Sequence, residues 1–171
     1  MTDSDPTTPK FAAIAEDIAL QELIARYLSG PALVRDAIAG MDDAQLNARP
    51  IEGKMSTYEV VTHIVDSDAG LGGRITRAMA GEEVPVMQGR GGHPEHVAEP
   101  GRDLDADLTR LEAQRAVMAE ALGQAGPGVW ELVAMRREER VMTVRQLLIM
   151  MTRHLENHVA AIDEKRAALG L

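Results

Sequence analysis

An all-α fold, a bundle of four helices, is what this sequence predicts, on three observations. Four stretches carry apolar residues at spacings of three and four, the repeat of one helix face. Two of the four open on a capping box, Ser/Thr followed three residues later by Glu or Gln. Hydrophobic residues make up 45% of the chain but aromatics only 2%, so the core is built from Ala, Leu, Val, Ile and ten Met. That composition favours helix over strand. With 171 residues the chain has the length of one ordinary domain. Residues 11–171 are expected to form it, behind a polar, flexible segment 1–10.

The first helix is expected over 11–28, with Ile14, Ile18, Leu20, Leu23, Ile24 and Leu28 on its spacing. Gly30-Pro31 interrupts it. Proline is tolerated in a first helical turn, so 31–39 resumes the helix at an angle before Gly40 ends it. Residues 41–54 read as a connection in which Asp42 or Asp43 caps one short turn through Leu46. The second long helix starts after Ser56, which pairs with Glu59 in a capping box, and runs to about Met79. Its stripe is Val60, Val61, Ile64, Leu71, Ile75 and Met79, with His63 at the edge. Asp68 falls near the middle of that stripe. A bare carboxylate there is costly, so Asp68 is either in a salt bridge, to Arg74 or another arginine at the core edge, or bound to something else. Gly70, Gly72 and Gly73 weaken the helix and allow a bend or a close approach.

Residues 81–103, rich in Gly and Pro, form a long connection between the second and third long helices. His93 and His96 lie in it, either exposed or as a chelating pair that the loop does not preorganise. The third helix spans 104–125, with Leu104, Leu108, Leu111, Val117 or Met118, and Leu122 turned inward, and Gly126-Pro127-Gly128 stops it. Trp130 follows in a short turn, for packing or to line a pocket. Residues 135–142 alternate too weakly for a strand and read as an extended turn. The arginines at 136, 137 and 140 are half cancelled there by Glu138 and Glu139, as in a solvated turn. Thr143 and Gln146 make the second capping box, and the last helix runs to about Ala168.

That last helix carries the sharpest signal. Leu147, Leu148, Met151, Leu155 and Ile162 fall within an arc of roughly 140°, and His154 and His158, one turn apart, share it. Arg145, Arg153, Glu156 and Asp163 fall on the other side. Two imidazoles on an apolar stripe are either core residues with one hydrogen bond each or metal ligands. A metal would need at least one more ligand from elsewhere in the chain.

Composition excludes several functions. A net charge of -9 opposes binding to a nucleic-acid backbone. With no cysteine there is no disulfide, no cysteine zinc site and no cysteine nucleophile, which fits a cytoplasmic protein. No stretch approaches the ~18 apolar residues of a membrane span. The first ten residues lack the basic and apolar regions of a signal peptide.

Arg49-Pro50, Gly53-Lys54, Ser56-Thr57, Glu59-Val60-Val61, His63, Arg74-Ile75, and Arg153-His154 with His158 together resemble the pattern of the DinB/YfiT-like family. The resemblance spans roughly residues 27–162. It implies a four-helix bundle of up-down-down-up style, often a homodimer. It also implies a divalent metal, zinc or nickel, held by one histidine of the second long helix and two of the last, here His63, His154 and His158. Characterised relatives include S-transferases and isomerases that use bacillithiol, mycothiol or similar thiols, and others are described only as metal-dependent hydrolases. Met55 stands where members usually carry Trp, and Asn157 where many carry a further His.

Three neutral imidazoles leave a metal one open position. Water there becomes acidic and serves hydrolysis, whereas a thiol there is deprotonated and becomes a nucleophile. In a chain without cysteine the thiol, bacillithiol-, mycothiol- or glutathione-like, must arrive as a cosubstrate. Asp68, Arg74 and Asn157 are the candidates to orient a ligand or the site. Three functions stay open: thiol transfer to a small electrophile, hydrolysis by metal-bound hydroxide, and a non-catalytic bundle stapled by its metal.

Overall fold

The computed structural model describes residues 10–87, 99–137 and 140–171. The segment 1–9, the pair His93 and His96, and the acids Glu138 and Glu139 lie outside the described residues. Four long helices carry the fold: α1 (Leu20–Ile38), α3 (Thr57–Met79), α4 (Leu104–Gln124) and α5 (Val144–Leu169). A short α2 (Asp43–Asn47) lies in the first connection, and a three-stranded sheet of β1 (Val86–Met87), β2 (Val133–Arg137) and β3 (Arg140–Thr143) closes one side. Both α4 and α5 pack on α1 and on α3, so α1 and α3 stand at opposite corners of the bundle. No described helix is long and apolar enough to cross a membrane.

The caps form as expected. Ser56 Oγ accepts from the Glu59 amide at 3.2 Å while Glu59 returns a carboxylate oxygen to the Ser56 amide at 2.7 Å. Thr143 and Gln146 do the same for α5, and Asp42 with Gln45 for α2. Trp130 sits in a 3-10 turn (Pro127–Glu131), 7% exposed and packed in the core.

Three local expectations need correction. Residues 11–19 are not helical; α1 begins at Leu20. Arginine side chains take carbonyls of that segment: Arg145 Nε donates to the Glu16 carbonyl at 2.9 Å, and Arg26 reaches Ala12. Nor does Pro31 divide the first helix, because α1 runs through it. Residues 135–142, expected as an extended turn, belong to a hairpin of β2 and β3. Arg137 pairs with Arg140, Arg136 with Val141 and Met135 with Met142, and β1 adds in parallel on the other side of β2. The alternation is weak in sequence because an irregularity between Val133 and Met135 shifts the register and breaks the period of two.

Pro31 is tolerated inside α1 for a specific reason. Proline has no N–H, so the carbonyl four residues back, that of Tyr27, lacks its helical donor. Arg115 of α4 supplies one, its Nη1 lying 2.6 Å from the Tyr27 oxygen. The notch it enters is made by Gly30, where a Cβ would collide with the guanidinium and come within 2.9 Å of Leu155 Cδ1. The same guanidinium donates through Nε to Asp68 Oδ2 at 3.2 Å, with Nη2 also bound to that oxygen, and stacks 4.2 Å from the Tyr27 ring. Arg115 is 1% and Asp68 7% exposed. Burial and the Asp68 carboxylate together push the Tyr27 hydroxyl well above its ordinary pKa, so the ring stays neutral.

This polar layer divides the core in two. On one side pack Leu23, Ile75, Leu122 and Met151, on the other Val34, Val65, Leu111 and Leu155. Arg115→Leu is expected to cost about 3–5 kcal/mol, because it leaves Asp68 charged and unpaired in the core. Urea unfolding would show it as a lower midpoint at unchanged slope, and adding Asp68→Leu should recover a good part of the loss. Gly30→Ala should cost about 1–3 kcal/mol by overpacking the same notch.

Candidate metal centre

His63 lies in the second turn of α3, and His154 and His158 lie one turn apart on α5. Because α3 and α5 are neighbours, the three rings meet between them. His63 Nε2 stands 3.2 Å from His154 Nε2, and His158 Nε2 3.1 Å from the same atom. One ring nitrogen from each residue lies within 4.8 Å of the other two. The rings meet edge to face, with centroids 4.5–5.1 Å apart and planes at 61–82°. His63 is 6% exposed, and the other two are half-buried. Ser67, one turn beyond His63, places Oγ 3.5 Å from its Nδ1.

The spacing has a chemical meaning. Nitrogens bound to one tetrahedral zinc at about 2.0–2.1 Å would stand about 3.3 Å apart. Two of the observed separations, 3.2 and 3.1 Å, are close to that value. The donor set, three imidazoles without a carboxylate, suits zinc, nickel, copper or iron alike. Among the described residues this is the one cluster of three ligating groups.

The other candidates are placed differently. Asp68 belongs to Arg115, as described above, and Arg74 Nη1 donates to the Pro85 carbonyl at 3.1 Å. Of the two pairings expected for Asp68, the one with Arg74 is not made and the one with another arginine is: the partner comes from α4. Asn157 lines a cavity of about 440 Å3 that reaches His154. Glu156, placed by its wheel position among solvated charges, is 4% exposed and paired with Arg26 of α1, Nη2 to Oε2 at 2.9 Å. The wheel misplaces it because α5 has neighbours on both sides, α3 toward the histidines and α1 on the side of Glu156.

Sequence reasoning missed Arg115. A signal was present, since 104, 108, 111, 115, 118 and 122 share one face of α4 and the fourth of these is a guanidinium amid apolar residues.

Comparison with known proteins agrees with this architecture. No curated protein matches the chain in sequence. In three dimensions it is similar to YfiT from Bacillus subtilis, described as a probable metal-dependent hydrolase with an unusual four-helix bundle topology. The match has a TM-score of 0.76 at 19% identity and covers 93% of this chain and 94% of that one. At that identity the likeness shows the fold. The family model of the DinB superfamily matches residues 26–162, from α1 to the last ring-bearing turns of α5, and the chain belongs to that superfamily.

Proposed function

We propose that His63, His154 and His158 hold a divalent metal ion, zinc or nickel, and that the chain is a cytoplasmic enzyme joining a low-molecular-weight thiol to a small electrophile. The convergence of the three Nε2 atoms carries this reading. A cation bound there with one position open would lower the pKa of a thiol or of water and so supply the nucleophile. The protein's own part is to hold and shield. Two ligands one turn apart on a helix are rigidly spaced, and the buried His63 closes the inner side. Ser67 is within reach to orient the His63 ring through Nδ1. With no cysteine in the chain, the thiol comes from solution.

Hydrolysis is the second reading, favoured by the description of YfiT. The homodimer that the family resemblance implies is also proposed. A groove of about 560 Å3 between α3 and α4, floored by Gly72 and Gly73 beside the exposed Val117, supports a helix-face contact, and light scattering in solution tests it.

Purified protein is expected to carry about one metal ion per chain, lost in both His63→Ala and His158→Ala. Elemental analysis reads this directly, and a metal content unchanged in the variants would sink the assignment. Metal-loaded protein should consume a generic electrophile only when a thiol such as glutathione, bacillithiol or mycothiol is added. Turnover of esters or amides without thiol would favour hydrolysis. Loss of stability on chelation, with neither activity present, would leave a metal that only staples helices.

A further inference from the structure

The described residues of the hairpin bring two arginines to a cavity next to the histidines. Arg137 and Arg140 are direct cross-strand partners, and both line the cavity that reaches His154. Directly opposed like charges destabilise a strand pair. Arg153, one residue from His154 on α5, lines the same cavity. Among the described residues, none of the three forms an ion pair with a carboxylate. The guanidinium of Arg137 rests instead on the Met87 sulfur, at 3.3–3.4 Å, a weak acceptor. Among the described residues Glu16 is the one acid on the cavity wall, and it makes no ion pair with them. Among the described arginines, Arg26, Arg35, Arg49, Arg102, Arg110 and Arg115 have carboxylate partners and Arg74, Arg145 and Arg166 donate to backbone carbonyls, whereas Arg137, Arg140 and Arg153 converge on one cavity without a described carboxylate partner.

The rest of the cavity fits a small molecule. Its volume is about 440 Å3, inside the usual range for such sites. Met135 and Met142, a cross-strand pair, and Ile149 of α5 give it an apolar wall. Of the three clustered histidines, only His154 is on its lining.

We propose that this cavity is the substrate site, and that Arg137, Arg140 and Arg153 bind a carboxylate of the substrate or thiol cosubstrate while its reacting end lies at the histidines. Guanidinium groups bind carboxylates in a two-point fork, and an anion placed between Arg137 and Arg140 relieves their repulsion. The preferred ligand is then a small molecule with one anionic end and a partly apolar body. The inference rests on the metal-centre reading for the fate of the reacting end, but not for the anion contact.

The test therefore has two arms. In cobalt-loaded protein, the thiolate charge-transfer band reports binding of mercaptosuccinate, which has two carboxylates, and of mercaptoethanol, which has none. The parent should bind mercaptosuccinate at least about tenfold more tightly. In Arg137→Gln/Arg140→Gln and in Arg153→Gln that preference should shrink to about threefold or less, with mercaptoethanol binding unchanged. Equal affinities in the parent, or an intact preference in the variants, overturn the proposal. In metal-free protein, calorimetric titration with succinate reads the arginines alone: binding in the parent and its loss in the variants support the proposal, and no binding in the parent overturns it. Inorganic phosphate bound more tightly than succinate would overturn the carboxylate assignment. Failure to take up cobalt with succinate binding intact would refute the metal reading and leave the anion site standing. The unliganded double variant should melt no lower than the parent, since it loses a repulsion, and that excludes misfolding as the cause of lost binding.

Discussion

One buried guanidinium fixes how these four helices meet. Arg115 reaches from α4 to the Asp68 carboxylate of α3 and to the Tyr27 carbonyl of α1, in a notch that Gly30 leaves open against Leu155 of α5. Buried ion pairs add little net stability over apolar packing, because both ions must be desolvated. Their effect is on register. Sliding α4 by one turn, about 5.4 Å, would strand a charge in the core and leave the Tyr27 oxygen without a donor. An aliphatic core of Leu, Val and Met discriminates poorly among such slips, and a polar layer in its middle discriminates strongly. The Gly30-Pro31 pair, a break by local rules, is the surface shaped to receive that layer.

The histidine cluster inherits this register. His63 is five residues from Asp68 on α3, and His154 is the neighbour of Leu155, which packs at the notch. Asp68 is bonded to the arginine that fills the Gly30 notch and Leu155 packs at the same notch, which fixes the rise of α3 relative to α5. The three ring nitrogens meet because each helix is held at one height. On the opposite side of α5, the Arg26–Glu156 pair holds α1 and so fixes the rotation of the helix that bears two of the rings.

The small sheet serves both the core, through Ala134, Met135 and Met142, and the candidate site. Hairpin pairing places Met135 and Arg137 of β2 opposite Met142 and Arg140 of β3, and these four side chains join α5 in walling the cavity over His154. The bundle supplies clustered nitrogens, and the hairpin supplies a pocket with charge and shape beside them. On the proposed reading, metal chemistry and substrate choice thus fall to different elements of the fold.

The amino-acid sequence by itself determined what is local. Four helices, their caps at Ser56 and Thr143, the one-turn spacing of His154 and His158, and the place of His63 on its stripe all follow from neighbours within four residues, where backbone geometry allows few alternatives. The meeting of His63 with the α5 pair was legible only through family resemblance, since nothing local joins positions ninety-one apart. Tertiary structure alone decided which arginine neutralises Asp68, why α1 passes through Pro31, that Glu156 is buried, and that 133–143 is a hairpin. Each of these depends on a partner brought in by packing: a donor from α4, a guanidinium from α1, a strand from the far side of a loop. A charged side chain in isolation carries no mark of which distant group will cancel it, so its fate is settled only when the helices close around it.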